Sequence, residues 1–258
     1  MAKQPLRIAC LHGFCQNSQS FRRKTGALRK WLSRPLRTAR ADLGLTSPSS
    51  SDDDQPLAEL VYLDAPFVLE EHLTPPPETP TSFHVRDNTY AVLRPLPIHS
   101  PSSSPVADQS KRIWWNAGKP GQEYRGCEDT LVYLSDIFQQ NGAIAASLVC
   151  ALHEKPEFAS LRFAMLFAGL ASRADVHQPL YIMPIKVPSL HVYGELDELI
   201  PHKASHDLFE KFDESTRSVY VHGKGHLVPG DAASRRAVAQ FVLRFADLEN
   251  RDQRMAAI

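Results

Sequence analysis

The sequence predicts an α/β protein with a mainly parallel sheet that helices cover on both faces. Three observations predict this class. Short apolar runs alternate with longer amphipathic segments along most of the 258 residues, which is the pattern of strands connected by helices. The longest apolar run, residues 163–171, has nine residues, far short of the roughly 18 that a membrane span needs. Hydrophobic residues make up 43% of the chain and charged residues 22%, as in an ordinary globular protein.

The predicted strands are short apolar runs that end in turn residues. The first, LRIACL at residues 6–11, is mostly apolar and stops at His12 and Gly13, so we expect it to be buried. The other predicted strands lie at residues 57–63, 162–167, 189–193 and 218–222.

The predicted helices carry their apolar residues on one face. In the first, residues 20–32, the side chains of Phe21, Leu28 and Leu32 share a side and basic residues surround them. We interpret those basic residues as a solvated outer face, although a basic helix can also bind a partner. The other predicted helices lie at residues 128–140, 143–153, 203–212 and 234–248.

A segment rich in Pro and Ser, residues 66–110, interrupts this alternation with stretches such as TPPPETP and HSPSSSP. We expect a long, partly mobile surface loop, with room for a short pair of strands around residues 83–93. Because the strand and helix pattern resumes after it, the sequence predicts one domain over residues 1–258 with this loop as an insertion.

Charge and cysteine content argue against several classes of protein. Lys plus Arg total 29, Asp plus Glu total 29, and the isoelectric point is about 7.2, whereas binders of nucleic acid or anionic membranes need a basic footprint. The N-terminus shows no apolar stretch of a secretory signal. The four cysteines form no C-x-x-C pair, which argues against disulfides or zinc and fits a reducing compartment. We therefore expect a cytoplasmic location, with the nucleus as an alternative.

The first candidate for chemistry is the turn that closes the N-terminal strand. Gly13 allows the backbone to turn sharply, which leaves the N–H groups of Phe14 and Cys15 free to face an oxyanion. The dipeptide His12-Gly13 is a weak signal by itself, and a simple turn at a strand end explains it equally well.

Two further loops follow predicted strands and carry a carboxylate and an imidazole. Asp197, after the strand SLHVY, can accept a hydrogen bond from a histidine ring and hold its tautomer. His226, in Gly-Lys-Gly-His after the strand SVYVH, can project over the sheet edge as a general base. Each residue alone also has a non-catalytic explanation. Asp197 could belong to a solvated acidic loop, and His226 could be an ordinary exposed histidine. Their order and their spacing of 29 residues match the Asp-then-His order of α/β-hydrolases.

These residues make the chain resemble the FSH-type serine hydrolases, a family of α/β-hydrolase esterases that includes the ovarian cancer-associated gene 2 product. The resemblance rests on LRIACLHGFCQNSQSFRRKTGALRKWL, IWWNA, VPSLHVYGELDELIP and HGKGH, and it covers most of the chain outside the Pro/Ser-rich loop. It implies ester hydrolysis by a Ser-His-Asp triad, with Asp197 as the acid, His226 as the base and Phe14 as a backbone oxyanion donor. It implies no metal and no organic cofactor.

The nucleophile of that family is missing. Family members place a strand and a nucleophile elbow of the type G-F-S-x-G between two central helices, but here Gly142 runs directly into Ala143 and no G-x-S-x-G occurs. A strand and an elbow together need about ten residues. Ser147 and Cys150 fall inside a predicted helix, and a pairing of Cys15 with a histidine would be accidental, so none replaces the serine.

Two hypotheses follow from the missing elbow. In the first, the protein is an esterase whose active form contains a segment that this translation lacks, as a missed exon segment would produce. In the second, the chain is a non-catalytic relative that binds a ligand or a partner protein. The intact loops around Asp197 and His226 favour the first, because a site that has lost its function does not need them.

The substrate implied by the resemblance is a small carboxylic ester with an apolar acyl chain. Phe14, Phe67, Trp114 and Trp115 could line its pocket, or could belong to the core. The sequence indicates neither a nucleic-acid partner nor a membrane span, and it does not identify a protein partner.

Overall fold

A computed structural model of the protein describes residues 5–13, 16–45, 54–72, 82–86, 89–95, 110–114, 127–141 and 150–255. Its strands are β1 (Leu6–Leu11), β2 (Ala58–Leu63), β3 (Phe67–His72), β4 (Ser82–Arg86), β5 (Thr89–Pro95), β6 (Arg112–Ile113), β7 (Ala164–Phe167), β8 (Ser189–Gly194) and β9 (Arg217–His222). Its α-helices are α1 (Ser18–Lys24), α2 (Gly26–Leu32), α3 (Leu36–Asp42), α4 (Cys127–Asn141), α5 (His202–Phe209) and α6 (Ala232–Met255).

Two parallel sheets form the centre of the fold. One contains β1 and β2, and the other contains β7, β8 and β9 in that order. All six residues of β8 are buried, because β8 is flanked by a strand on each side and a parallel sheet is covered on both faces. The prediction of an α/β fold with mainly parallel core strands is confirmed.

The two parallel sheets share one hydrophobic core but are not hydrogen-bonded to each other. Leu6 and Ile8 of β1 lie in the same buried cluster as Met165 of β7, together with residues of α2, α3 and α6. Among the described residues, β1 pairs only with β2, and β7 pairs only with β8. Within the described residues, the two parallel sheets are therefore joined by side-chain packing and not by strand pairing.

The first predicted helix is two helices. A helix over residues 20–32 was expected, but the chain turns at Thr25, between α1 and α2. The Thr25 hydroxyl lies 2.9 Å from the Phe21 carbonyl and 2.6 Å from the Tyr62 hydroxyl of β2. A threonine side chain that bonds backbone one turn earlier bends a helix, and the contact with β2 fixes the bend.

The Pro/Ser-rich segment contains more regular structure than expected. β4 and β5 form the pair of strands expected around residues 83–93, and β3 adds a third strand inside the segment. With β6 they make a four-stranded antiparallel sheet in the order β4-β5-β3-β6. The described parts of the segment are therefore a sheet rather than a surface loop.

The remaining elements differ from the predictions mainly at their ends. Strands β2, β7, β8 and β9 and helices α4 and α6 lie within the predicted regions or extend them, α5 ends three residues before its predicted end, and α3 was not predicted. The predicted helix at residues 143–153 lies largely outside the described residues; 150–151 are helical. Asp231 accepts a 2.9 Å hydrogen bond from the Ser234 N–H and so caps the start of α6.

Candidate active site

The candidate site is built by the loops that follow β8 and β9. These strands are parallel, and the last residue of β8, Gly194, is the register partner of His222 at the end of β9. Beyond the strands the pairing continues, because the Glu195 N–H donates to the His222 carbonyl at 2.9 Å and the Leu196 N–H donates to the Lys224 carbonyl at 3.3 Å. The acid loop and the histidine loop are thus held side by side at one edge of the sheet.

Gly194 lies where the backbone of the acid loop closely approaches the backbone of the histidine loop. A Cβ atom there would lie 2.9 Å from the Gly225 carbonyl oxygen and closer still to the Lys224 carbonyl oxygen. Both are backbone atoms and cannot rotate away, so no larger residue fits. The glycine lets the acid loop lie directly against the backbone that carries His226.

Asp197 and His226 are in direct contact. Nδ1 of His226 lies 2.8 Å from Oδ2 of Asp197, while Oδ1 of Asp197 accepts the backbone N–H groups of Leu199 at 3.0 Å and Ile200 at 2.8 Å. The carboxylate side chain is only 1% exposed, and all of these hydrogen bonds favour its ionised form.

The environment of Asp197 keeps it ionised. Burial by itself raises the pKa of this carboxyl, but the hydrogen bonds from the Ile200 N–H, the His226 ring and the Leu199 N–H outweigh burial and hold the pKa below its ordinary value. Since an ionised carboxylate only accepts, the Nδ1 atom of His226 must carry the proton of this hydrogen bond.

The other ring nitrogen of His226 is available for chemistry. The His226 side chain is 41% exposed, and within the described part of the chain Nε2 has no hydrogen-bond partner. With Nδ1 protonated, Nε2 carries a lone pair that can accept a proton. The neighbouring His222 is buried, and within the described residues only His226 of the two is hydrogen-bonded to Asp197, so the geometry distinguishes the two histidines of the motif HGKGH.

His12, in the motif that closes β1, has a structural role that the sequence did not reveal. It is buried, and its Nε2 accepts the Ala65 N–H at 3.1 Å, so its protonated Nδ1 donates to the Gly13 carbonyl at 2.9 Å. Burial lowers its pKa. The indole N–H of Trp114 donates to the His12 carbonyl at 2.8 Å. This neutral imidazole joins the end of β1 to the segment after β2 and fixes the turn that leads to the predicted oxyanion donors.

Several residues named from the sequence lie outside the described residues. These are the predicted oxyanion donors Phe14 and Cys15, the junction between Gly142 and Ala143, Ser147, and Trp115. Their assigned roles stay predictions.

Three of the residues expected to line a pocket or to be buried are described. Phe67 is buried in the core rather than at a surface. Trp114 is half-buried and lies against the rings of His12 and Tyr133. Cys150 is buried and burial raises its pKa to about 12, so it is an unreactive thiol, as its apolar neighbours in the sequence suggested.

No group of three or more potential metal ligands lies together among the described residues. No helix in that part combines the length and the apolar composition that crossing a bilayer requires.

Solved structures with a similar fold are esterases and thioesterases. An acyl-protein thioesterase 2 from Zea mays superposes with a TM-score of 0.52 at 12% identity, covering 93% of each chain. A structure described as esterase PE8 superposes with a TM-score of 0.50 at 15% identity, covering 94% of this chain and 93% of that one. At this identity they support the α/β-hydrolase fold alone.

Sequence comparison identifies the family. The protein called Esterase OVCA2 from Danio rerio is 32% identical, with 95% of this chain and all of that protein covered. Its counterparts in Bos taurus and Homo sapiens are 32% and 28% identical, and 96% and 95% of this chain are covered. The family model described as serine hydrolase (FSH1) matches residues 1–238. Since that match takes in most of the chain, including both loops of the candidate site, the protein belongs to the FSH1 serine hydrolase family.

Proposed function

We propose that this protein is a carboxylic ester hydrolase in which Asp197 orients His226 and His226 acts as general base. The observation that supports the proposal is the 2.8 Å hydrogen bond between the buried carboxylate and the exposed imidazole. The name "esterase" that the curated relatives carry agrees with ester substrates. An apolar acyl chain remains our expectation for the part of the ester that the protein binds.

The chemistry follows from the tautomer of His226. Its Nε2 takes the proton of a serine hydroxyl while that oxygen attacks the ester carbonyl, and the imidazolium gives the proton to the departing alkoxide. An acyl-enzyme remains, which water hydrolyses by the same proton transfers. Asp197 stabilises the imidazolium throughout because its lowered pKa keeps it anionic.

We further propose that the chain as printed cannot complete this reaction, because it lacks the serine. The sequence supports this, because no G-x-S-x-G occurs in it and Gly142 runs directly into Ala143 between the two predicted central helices. A strand with a nucleophile elbow at its end would bring a serine to the edge of the parallel sheet where His226 lies.

A fluorophosphonate probe, which labels activated serines, tests the proposal. The 258-residue chain should remain unlabelled, since loss of the nucleophile alone can cost about a millionfold in turnover. A second chain, with about eleven residues of strand and G-F-S-x-G inserted between Gly142 and Ala143, should be labelled at the new serine.

Two variants of the inserted chain complete this experiment. His226→Ala should abolish labelling, whereas His222→Gln should retain it if the protein stays folded, because among the described residues it is His226 and not His222 that is hydrogen-bonded to Asp197. Stoichiometric labelling of the 258-residue chain that is lost in its own His226→Ala variant would mean that another serine acts as nucleophile.

A further inference from the structure

The histidine loop, residues 223–231, carries His226 between β9 and α6. Within the described residues, its middle part, residues 226–230, makes no hydrogen bond between backbone groups. Val228 packs against the hydrophobic core, but the His226 side chain is 41% exposed, so packing surrounds the imidazole only in part. Contacts at the two ends of the loop must therefore help to hold the 2.8 Å approach of His226 to Asp197.

The first end of the loop is fixed at Lys224. Its carbonyl oxygen accepts the Leu196 N–H at 3.3 Å, which ties it to the acid loop. Its ammonium group lies 3.3 Å from Oδ2 of Asp231, the last residue before α6. Lys224 thus contacts the loop of Asp197 with its backbone and the other end of its own loop with its side chain.

The second end of the loop is fixed at Asp231. Its Oδ1 atom accepts the Ser234 N–H at 2.9 Å and the Tyr220 hydroxyl at 3.3 Å, so the carboxylate joins the start of α6 to β9. The hydrogen bond from the Ser234 N–H lowers the pKa of this carboxyl to about 2, and the Lys224 ammonium acts in the same direction. Asp231 is therefore an anion at neutral pH and forms an ion pair with Lys224.

This ion pair joins the two ends of the histidine loop, with His226 between them. Lys224 is 52% exposed and Asp231 is 36% exposed, and an ion pair of this kind adds little to the stability of a whole domain. Its effect should instead be local. Gly225, directly before His226, allows the backbone a wide range of conformations, and holding the loop at both ends restricts that range.

We propose that Asp231 is a positioning residue for His226, which acts by closing the histidine loop through Lys224. The proposal rests on the function proposed above, because a fixed imidazole matters only if its Nε2 takes a proton during the reaction. The competing explanation is that Asp231 only caps α6. Asparagine separates the two roles, since it caps a helix as well as aspartate does but presents an uncharged amide to Lys224.

Proton NMR of the full 258-residue chain, labelled with nitrogen-15 in its histidines, tests the proposal without turnover. An Nδ1–H that donates to a carboxylate gives a signal far downfield of the backbone amides, and its exchange with water reports how often that contact opens. The signal is assigned by its loss in His226→Gln. Asp231→Asn should speed the exchange about two- to fivefold, the factor expected for loss of a partly exposed ion pair.

Variants of Lys224 test whether the effect passes through the ion pair. Lys224→Met should speed the exchange as much as Asp231→Asn does, and the double variant should be no faster than either single variant, because both remove the same interaction. Lys224→Arg keeps the positive charge and should retain the exchange rate of the parent chain. The chain with the inserted elbow is measured in parallel, because its histidine loop is identical.

A matched control removes a carboxylate from an ion pair elsewhere. Asp207 of α5 pairs with Lys203 at 2.8 Å on an exposed surface, so Asp207→Asn should leave the exchange of the His226 signal unchanged. Far-ultraviolet circular dichroism and the urea midpoint of Asp231→Asn should stay close to those of the parent chain, since the cap of α6 is kept.

The outcomes separate this proposal from the proposed function. An exchange rate in Asp231→Asn equal to that of the parent would leave Asp231 as a helix cap alone. An equal change in Asp207→Asn, or additive effects in the double variant, would show that the pair with Lys224 does not act as a unit; these results leave the proposed function intact. Absence of the downfield signal from both parent chains would remove the contact between Asp197 and His226, and both proposals with it.

Discussion

Asp197 connects the candidate chemistry to the stability of the protein. Its carboxyl has an ordinary pKa of 3.8, and the hydrogen bonds that it accepts in the folded state lower that value. The unfolded chain therefore binds the proton more readily near this pH. The resulting stabilisation is complete above the ordinary pKa and is lost as the pH falls through the lower, folded-state pKa.

The variant Asp197→Asn should show this dependence. At pH 7 it should destabilise the fold by about 1–3 kcal/mol, because an amide replaces the charge that three hydrogen bonds stabilise. At pH 3, below the ordinary pKa of 3.8, the difference should be smaller, because the unfolded parent chain then binds the proton that the folded chain resists. Urea denaturation of both chains at the two pH values measures the change.

Glu198→Gln provides the control for this prediction. Glu198 is an exposed carboxylate of the same loop, so its substitution should change the free energy of unfolding by less than about 0.5 kcal/mol at either pH. Equal effects at the two positions would show that the hydrogen bonds of Asp197 contribute nothing particular to stability.

The contact between Asp197 and His226 could be anticipated from the sequence because both residues follow apolar strands. In parallel strands such positions meet at one edge. The role of His12 could not be anticipated in the same way. Its partners, the Ala65 N–H and the Trp114 indole, are 53 and 102 residues away in the chain, and nothing in a local pattern indicates which distant backbone group a buried imidazole will meet.

Among the elements, the turn at the end of β8 is the most sensitive to substitution. Gly194→Ala should separate the acid loop from the histidine loop, because the added methyl group overlaps two backbone carbonyls. We expect a loss of about 1–3 kcal/mol in the free energy of unfolding, and a loss of esterase activity in the chain that carries the inserted elbow. Denaturation midpoints and hydrolysis of a short-chain aryl ester measure the two effects.

Gly26→Ala is the matched control. No heavy atom lies within 4 Å of a Cβ at Gly26, and alanine favours the helical conformation that this residue adopts in α2. The variant should be neutral or up to about 1 kcal/mol more stable. If Gly194→Ala were equally harmless, the close approach of the two loops would not matter to the site.

Sequence patterns did not predict some of the boundaries and strands of the fold. The apolar spacing of residues 20–32 is helical throughout, so it contains no sign of the turn at Thr25. That turn depends on Tyr62 of β2, 37 residues later. In the Pro/Ser-rich segment, composition suggested a loop, but β3 pairs with β5 and β6 over long sequence distances, and pairing of that kind is decided by tertiary contacts.

For the molecule as a whole, the absent elbow strand is the main prediction from the sequence. Two predicted helices follow each other where the family resemblance implies a strand, and residues 142–149 at that junction lie outside the described residues, so this stays a prediction. A sheet without its central strand leaves backbone groups without partners, and each such buried group costs about 1–3 kcal/mol. A few of them would offset much of the 5–15 kcal/mol that stabilises a typical domain.

The 258-residue chain should therefore be loosely folded or poorly soluble. Inserting about eleven residues of strand and G-F-S-x-G between Gly142 and Ala143 should produce a cooperative thermal transition together with ester hydrolysis. Both chains are purified and compared by calorimetry and by hydrolysis of an aryl ester. A sharp transition in the original chain, with no gain in stability or activity after insertion, would favour the non-catalytic hypothesis.

Chemical modification of the cysteines can report how this fold opens. Burial raises the pKa of Cys10 in β1, Cys127 at the start of α4 and Cys150 in the core to about 12. At neutral pH these sulfurs are protonated, and those of Cys127 and Cys150 are also buried, so alkylating reagents and oxidants reach these two only when the surrounding element opens. Cys10 is half-buried and should react earlier, so the order of modification records which part of the molecule comes apart first.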